Sequence, residues 1–224
     1  MSILILDKEI EKSKHILIKS EKNNFPQASI LYSYLLSQHK KVSLYGDEKE
    51  SKFSFLAWHD KVRCKRPASA DFEIDASIEI KALYTFIQES NIKINKKMAT
   101  AFYAGFMQRY NNFMSRDCNG TIFAILSELI EYGADHNYCI SEMIERVPLS
   151  SIRLKSILYK KLLLKKNATI VEVKLTDMDF VQSGAQWEDL LSLSNELLNL
   201  VHVQEVQIIK SDEKDKILKI VKEV

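Results

Sequence analysis

The chain has 224 residues, 46 % of them hydrophobic, enough to fill a core in one large domain or two small ones. Its 32 Lys and Arg against 30 Asp and Glu leave a net charge of +2, without the clustered basic excess that nucleic-acid binders carry. Three cysteines without C-x-x-C spacing argue against a disulfide framework or a zinc site, and five glycines with neither G-x-G-x-x-G nor G-x-x-x-x-G-K-[ST] exclude the glycine-rich phosphate-binding classes.

The opening run, residues 1–6, is too short for a signal-peptide core, and Asp7 and Lys8 end it. No apolar run approaches the roughly 18 residues of a membrane span, so no membrane span is expected and a cytoplasmic location is. His15 to Ser20 reads as a short strand, Ala28 to Ser37 as a helix, and Lys41 to Tyr45 as a second strand closed by Gly46-Asp47. Strand, helix, strand over this length implies a parallel sheet with helices packed on it. Phe53 to Trp58 and Val62 to Cys64 add apolar mass, and Ala70 to Ile74 reads as a third strand. Lys61, Arg63, Lys65 and Arg66 alternate with apolar residues, as on a sheet edge protected by charge.

From Ile78 to Lys166 the pattern is helical. Ile80, Leu83, Phe86 and Ile87 share a face, as do Ala99, Phe102, Tyr103 and Phe106. Ile122 to Ile130 repeats the pattern, with Gly133 as its C-cap. Ile140 to Arg146 reads as a short helix stopped by Pro148, and Ser151 as the cap of a long helix reaching Lys165. Beyond it, Ala168 to Leu175 is a strand, Trp187 to Val201 a helix, Val203 to Ile209 a strand, and 214–224 an amphipathic tail. The expected organisation is two α/β domains, 1–165 and 166–224.

Ala99-Thr100-Ala101-Phe102-Tyr103-Ala104-Gly105, followed by Leu129-Ile130-Glu131-Tyr132-Gly133-Ala134-Asp135, resembles the helix-and-loop block of the DHH phosphoesterases, in the nano-RNase and phosphoadenosine-phosphate phosphatase branch. Lys41-Val-Ser-Leu-Tyr45, Phe53-Ser-Phe-Leu56 and Pro67-x-x-Ala70-Asp71 fall in the family's order. So do Ser150 to Lys155, similar to its linker helix, and Val173 to Ile209, similar to the first half of its accessory domain. The resemblance implies a reduced DHH-like parallel sheet with a helical layer, plus a small truncated accessory domain that lacks the glycine-rich substrate segment.

Family members hold two divalent cations, usually manganese, through aspartates and histidines, chemistry that needs clustered hard oxygen donors. The motif expected after the first strand, SHxNPDGDAIGS, reads here as Ser20-Glu21-Lys22-Asn23-Asn24-Phe25-Pro26-Gln27-Ala28-Ser29. Its histidine is replaced by Glu21 and its aspartates by Phe25 and Gln27. The aspartate ending the third strand falls on Asp75 or Ser77, and the Asp-His-His triplet is absent. Arg109 stands at the last metal aspartate. A guanidinium about 4 Å from a dication at an effective dielectric near 20 costs on the order of 8 kcal/mol. The resemblance therefore implies no catalytic residues, no metal ligands, no cofactor, and loss of the ancestral manganese site.

Asn23, Asp75, Arg109, Asn111 and Asn112 are the degenerate-site positions and the candidate phosphate or ligand contacts, since arginine with asparagines binds phosphate without metal. Asp135, His136 and Cys139 are grouped closely, but Gly133 and Asp135 account for the group as a connection between helices. His59-Asp60 reads as a turn. His15, His39 and His202 read as structural, and Lys160, Lys161, Lys165 and Lys166 as complements to a helix C-terminus. The expected function is an inactive phosphoesterase relative working as a scaffold or assembly subunit, through a protein partner or self-association. The alternatives are a nucleotide or short-RNA binding module, with nucleic-acid affinity weak at most, and a residual metal-dependent phosphoesterase.

Overall fold

In the run Ile16-Leu17-Ile18 both faces are apolar, as a strand covered on both sides requires. The structure, a computed structural model describing residues 9–21, 23–46, 51–90, 92–212 and 217–221, makes this run the middle of β1 (His15–Lys19), with all three side chains buried. β2 (Lys41–Tyr45), β3 (Val62–Arg63) and β4 (Phe72–Asp75) complete a parallel sheet in the order β3-β2-β1-β4. Lys19 lies opposite both Tyr45 and Asp75, so three strands end together along one carboxyl edge. Val62 is buried and Arg63 exposed on β3, the charged outer strand that the basic alternation announced.

Four main helices cover this sheet, and local chemistry starts each of them. α1 (Phe25–Ser37) follows Asn24 and carries Pro26 in its first turn, where a missing N–H is harmless. Glu79 accepts from the Ala82 amide at 2.7 Å to begin α2 (Ile80–Glu89), and Asn95 accepts from Met98 at 3.1 Å to begin α3 (Lys96–Arg109). Asn119 accepts from Thr121 at 3.1 Å to begin α4 (Gly120–Glu131). The short helix expected at 140–146 starts instead at His136, because Asp135 caps the Tyr138 amide at 3.0 Å. It runs as α5 (His136–Ile140) into a π-helical turn, Ser141–Glu145.

Gly105 explains how the helices converge. A Cβ there would lie 2.7 Å from Ile80 Cδ1 and 3.3 Å from Pro26 Cβ, so the first turns of α1 and α2 both close on α3 at this residue. Arg109 ends α3 about one turn further on.

These elements belong to the first of two compact units, Met1–Arg146 and Val147–Val224. The second unit contains α6 (Leu149–Lys161), β5 (Leu163–Lys165), β6 (Ile170–Leu175), α7 (Asp177–Ser183), α8 (Leu190–Leu198), β7 (Glu205–Lys210) and β8 (Ile217–Val221). Its sheet has the order β5-β6-β7-β8, with only β6 and β7 parallel. The boundary read from the sequence at 165/166 falls within this unit, because Leu154 and Leu158 of α6 share its core with Val171, Val173, Leu190 and Ile208.

The long helix expected to reach Lys165 stops at Lys161, and Pro148 rather than Ser151 stands at its cap position. Leu163–Lys165 pair with β6 instead, joined to it through three left-handed residues, Lys166, Asn167 and Ala168. The helix expected from Trp187 begins at Leu190 after a 3₁₀ turn. Part of the expected tail is β8, antiparallel to β7. Residues 1–6, Asp47, 214–216 and 222–224 lie outside the described residues. Among the described residues, no helix is long and apolar enough to cross a membrane.

Candidate functional site

The carboxyl edge of the parallel sheet is the place where the resemblance puts its chemistry, and a polar clamp occupies it. Asn24, almost fully buried, accepts from the Ser20 hydroxyl at 3.1 Å and the Glu21 amide at 2.8 Å, and donates to the Ser77 hydroxyl at 3.0 Å. It ties the end of β1 to the segment that follows β4. Asp75, the last residue of β4, accepts from the Ser77 amide at 2.8 Å, and this hydrogen bond holds its carboxyl below the usual range, with Lys19 adding to the shift. Lys19 in turn reaches Glu21 at 2.5 Å. Gln27 donates to the Ile78 carbonyl at 3.3 Å, and its Oε1 is buried with no partner among the described residues.

The other anticipated residues take no part in these Asn24 hydrogen bonds. Asn23 sits in the turn before α1 with φ +70. The Arg109 guanidinium pairs with Asp117 at 3.1 Å and lies over the Tyr110 ring at 5.0 Å. Asp117 is held low first by the Ser115 hydroxyl and then by Arg109. Asn111, Asn112 and Phe113 form a left-handed run with φ of +46, +55 and +67. For Phe113 this conformation is strained. Edge-to-face contact with Tyr103, centroids 5.8 Å apart, and packing on Phe123 at 6.2 Å hold it there.

That run borders a groove of about 420 Å³ between α3, α4 and α5. Asn112 is one of its lining residues, together with Met107, Phe113, Phe123, Ile130 and Ile144. At its polar end the Tyr103 hydroxyl and His136 Nδ1 share a hydrogen bond at 2.6 Å. The walls are apolar and partly open: Phe123 is 53 % exposed and Ile130 47 %. The Asp135-His136-Cys139 group resolves into separate roles. Asp135 caps α5, His136 faces the groove, and Cys139 is buried against the Thr100 carbonyl, with burial raising its thiol to about 12. Among the described residues no three His, Cys, Asp or Glu side chains gather where one cation could bind.

Two features were missed in the sequence, although each left a signal. Asn24 directly before Phe25-Pro26 is a helix-start pattern, and an asparagine there has side-chain hydrogen bonds to give. Phe123, Ser127 and Ile130 recur at i, i+4 and i+7 beside the buried Ile122, Leu126 and Leu129, so α4 is apolar over more than one face.

The fold is a mixed α/β architecture built on a four-stranded parallel sheet. It is similar to the crystal structure of an exopolyphosphatase-related protein from Bacteroides fragilis. The match has a TM-score of 0.77 and 15 % identity, and covers 96 % of this chain and 81 % of that one. At that identity the likeness defines the fold. No family model matches the sequence, and a search of characterised proteins returns no match.

Proposed function

We propose that this chain is a catalytically inactive relative of the DHH phosphoesterases that acts by binding another protein chain. The observation that carries the reading is the Ser20–Asn24–Ser77 clamp at the carboxyl edge of the sheet. A dimetal centre needs several hard anionic oxygens aimed at one point. This edge offers a neutral amide already in use, Asp75 committed to the Ser77 amide, Glu21 committed to Lys19, and the Lys19 ammonium itself. The donors present do not fit a manganese pair. The resemblance to phosphoesterases and the likeness to an exopolyphosphatase-related protein support descent, and the open apolar groove supports a binding role.

Calorimetric titration with manganese, followed by phosphoadenosine phosphate and a dinucleotide in its presence, tests the reading. We expect no binding heat and no turnover. Micromolar manganese binding with hydrolysis would overturn it. Dinucleotide binding without hydrolysis would instead favour a nucleotide-binding module, with Arg109 released from Asp117.

A further inference from the structure

Two carboxylates without ion-pair partners among the described residues adjoin lining isoleucines of the groove on the first unit, and cations flank an exposed apolar helix face on the second. The segment Asn119–Arg146, which supplies the α4 and α5 walls, carries Glu128, Glu131, Asp135, Glu142 and Glu145 against Arg146 alone, in a chain whose net charge is +2. Three of those carboxylates are committed locally. Glu128 accepts from Tyr84 and Tyr132, Asp135 caps α5, and Glu142 pairs with Arg146. Glu131 and Glu145 each directly follow a groove-lining isoleucine, Ile130 and Ile144, and have no ion-pair partner among the described residues.

Helix α6 is the reverse case. Its sequence, LSSIRLKSILYKK, contains cations and no carboxylate. Its inner face, Leu154 and Leu158, is used in the core of the second unit. Its outer face presents Leu149 (59 % exposed), Ile152 (53 %) and Tyr159 at i, i+3 and i+10, a single stripe about 15 Å long. Lys155 and Lys161 are held by Glu196 and Asp179, which leaves Arg153 and Lys160 beside the stripe without ion-pair partners among the described residues. A stripe of this kind is what an apolar groove between helices takes up, and these two cations are complementary to Glu131 and Glu145.

We propose that the groove of one copy binds the outer face of α6 of a second copy. The proposal rests on the reading of the chain as an interaction protein and names the partner. Leu149, Ile152 and Tyr159 supply the buried contact, while Arg153 and Lys160 face Glu131 and Glu145 and set its orientation.

Sedimentation equilibrium of the full chain over a concentration series tests it. The expected result is self-association that weakens on dilution and with added salt. A Glu131→Lys/Glu145→Lys chain and an Arg153→Glu/Lys160→Glu chain should each self-associate on the order of tenfold more weakly. Mixed together, they should pair with each other, since each reversed surface then meets its opposite. All four positions are on the surface, so folding is unaffected, and circular dichroism checks this. A wild-type chain that stays a single copy at every concentration would overturn the proposal, as would self-association that neither variant weakens. A single-copy chain that also ignores manganese removes the second copy as occupant but leaves the interaction reading standing. Manganese-dependent turnover removes that reading whatever the mass.

Discussion

At the carboxyl edge of the parallel sheet, Asn24 spends its side-chain amide on Ser20, Glu21 and Ser77, and the neighbouring charges Lys19, Glu21 and Asp75 are paired or hydrogen-bonded. In the groove on the same unit, Phe123, Ile130 and Ile144 leave apolar surface open to water, around a single Tyr103–His136 hydrogen bond. One region bonds its polar groups to one another around the buried Asn24, and the other keeps exposed apolar area. Buried polar groups that satisfy each other stabilise the fold and offer little to a ligand, whereas exposed apolar area is what a partner can bury. The proposed reading assigns binding to the groove and structural support to the edge, and each half can be tested separately.

The strongest challenge is Asn24→Ala. It strands the buried Ser20 hydroxyl and the Glu21 amide, while the exposed Ser77 turns to water, so unfolding in urea should show a loss of about 1–3 kcal/mol. A neutral result would mean that the edge is not a clamp. Next is Gly105→Ala, which links the two regions through α3. The added methyl gains about 1 kcal/mol of helix propensity but meets Ile80 and Pro26, and overpacking costs about 1–3 kcal/mol. We expect a net loss near 1 kcal/mol, read in the same experiment.

Tyr103→Phe removes the groove's internal hydrogen bond and should cost about 1 kcal/mol. A Phe123→Ser chain should lose no more than about 1 kcal/mol, because its ring is half exposed and Tyr103 still holds Phe113. The same change should weaken self-association in the centrifuge, which separates a binding surface from a core. Acid should act on the edge and on the Arg109 loop as well. The carboxyls of Asp75 and Asp117 are held low by hydrogen bonds in the folded chain, so the unfolded chain binds more protons as pH falls through the carboxylate range. Their contribution is complete above about pH 4 and fades below it. Asp75→Asn should flatten the acid limb of a circular-dichroism titration slightly, and an unchanged limb would remove Asp75 from that account.

Much of the fold was legible because its signals are local. Ile16-Leu17-Ile18 has to be a covered strand, the alternating cations around Val62 an outer strand, and Gly133, with φ +91, a helix end. Other elements turned on competition between neighbours. Leu163–Lys165 continue a helical pattern in sequence, yet they pair with β6, because the left-handed residues 166–168 reverse the chain and ladder hydrogen bonds become available. The domain boundary moved for a similar reason, as Leu154 and Leu158 look like any amphipathic stripe until the sheet that covers them is in place.

The candidate site divides in the same way. The resemblance read in the sequence puts Glu21, Phe25, Gln27 and Arg109 where the DHH phosphoesterases have metal ligands, an expectation that needs only residue types. Sequence alone determined the α/β class, since the alternation of apolar patterns with periods of two and 3.6 is a property of the chain itself. Tertiary structure decided what surrounds those positions. Asn24 and Ser77 are 53 residues apart and meet only when β1 and β4 pair. Asn112 lies close to Arg109 in sequence yet lines the groove, because a run of positive φ carries the backbone there. Hydrogen-bond partners and open apolar surface are relations between distant residues, and only the packed fold creates them.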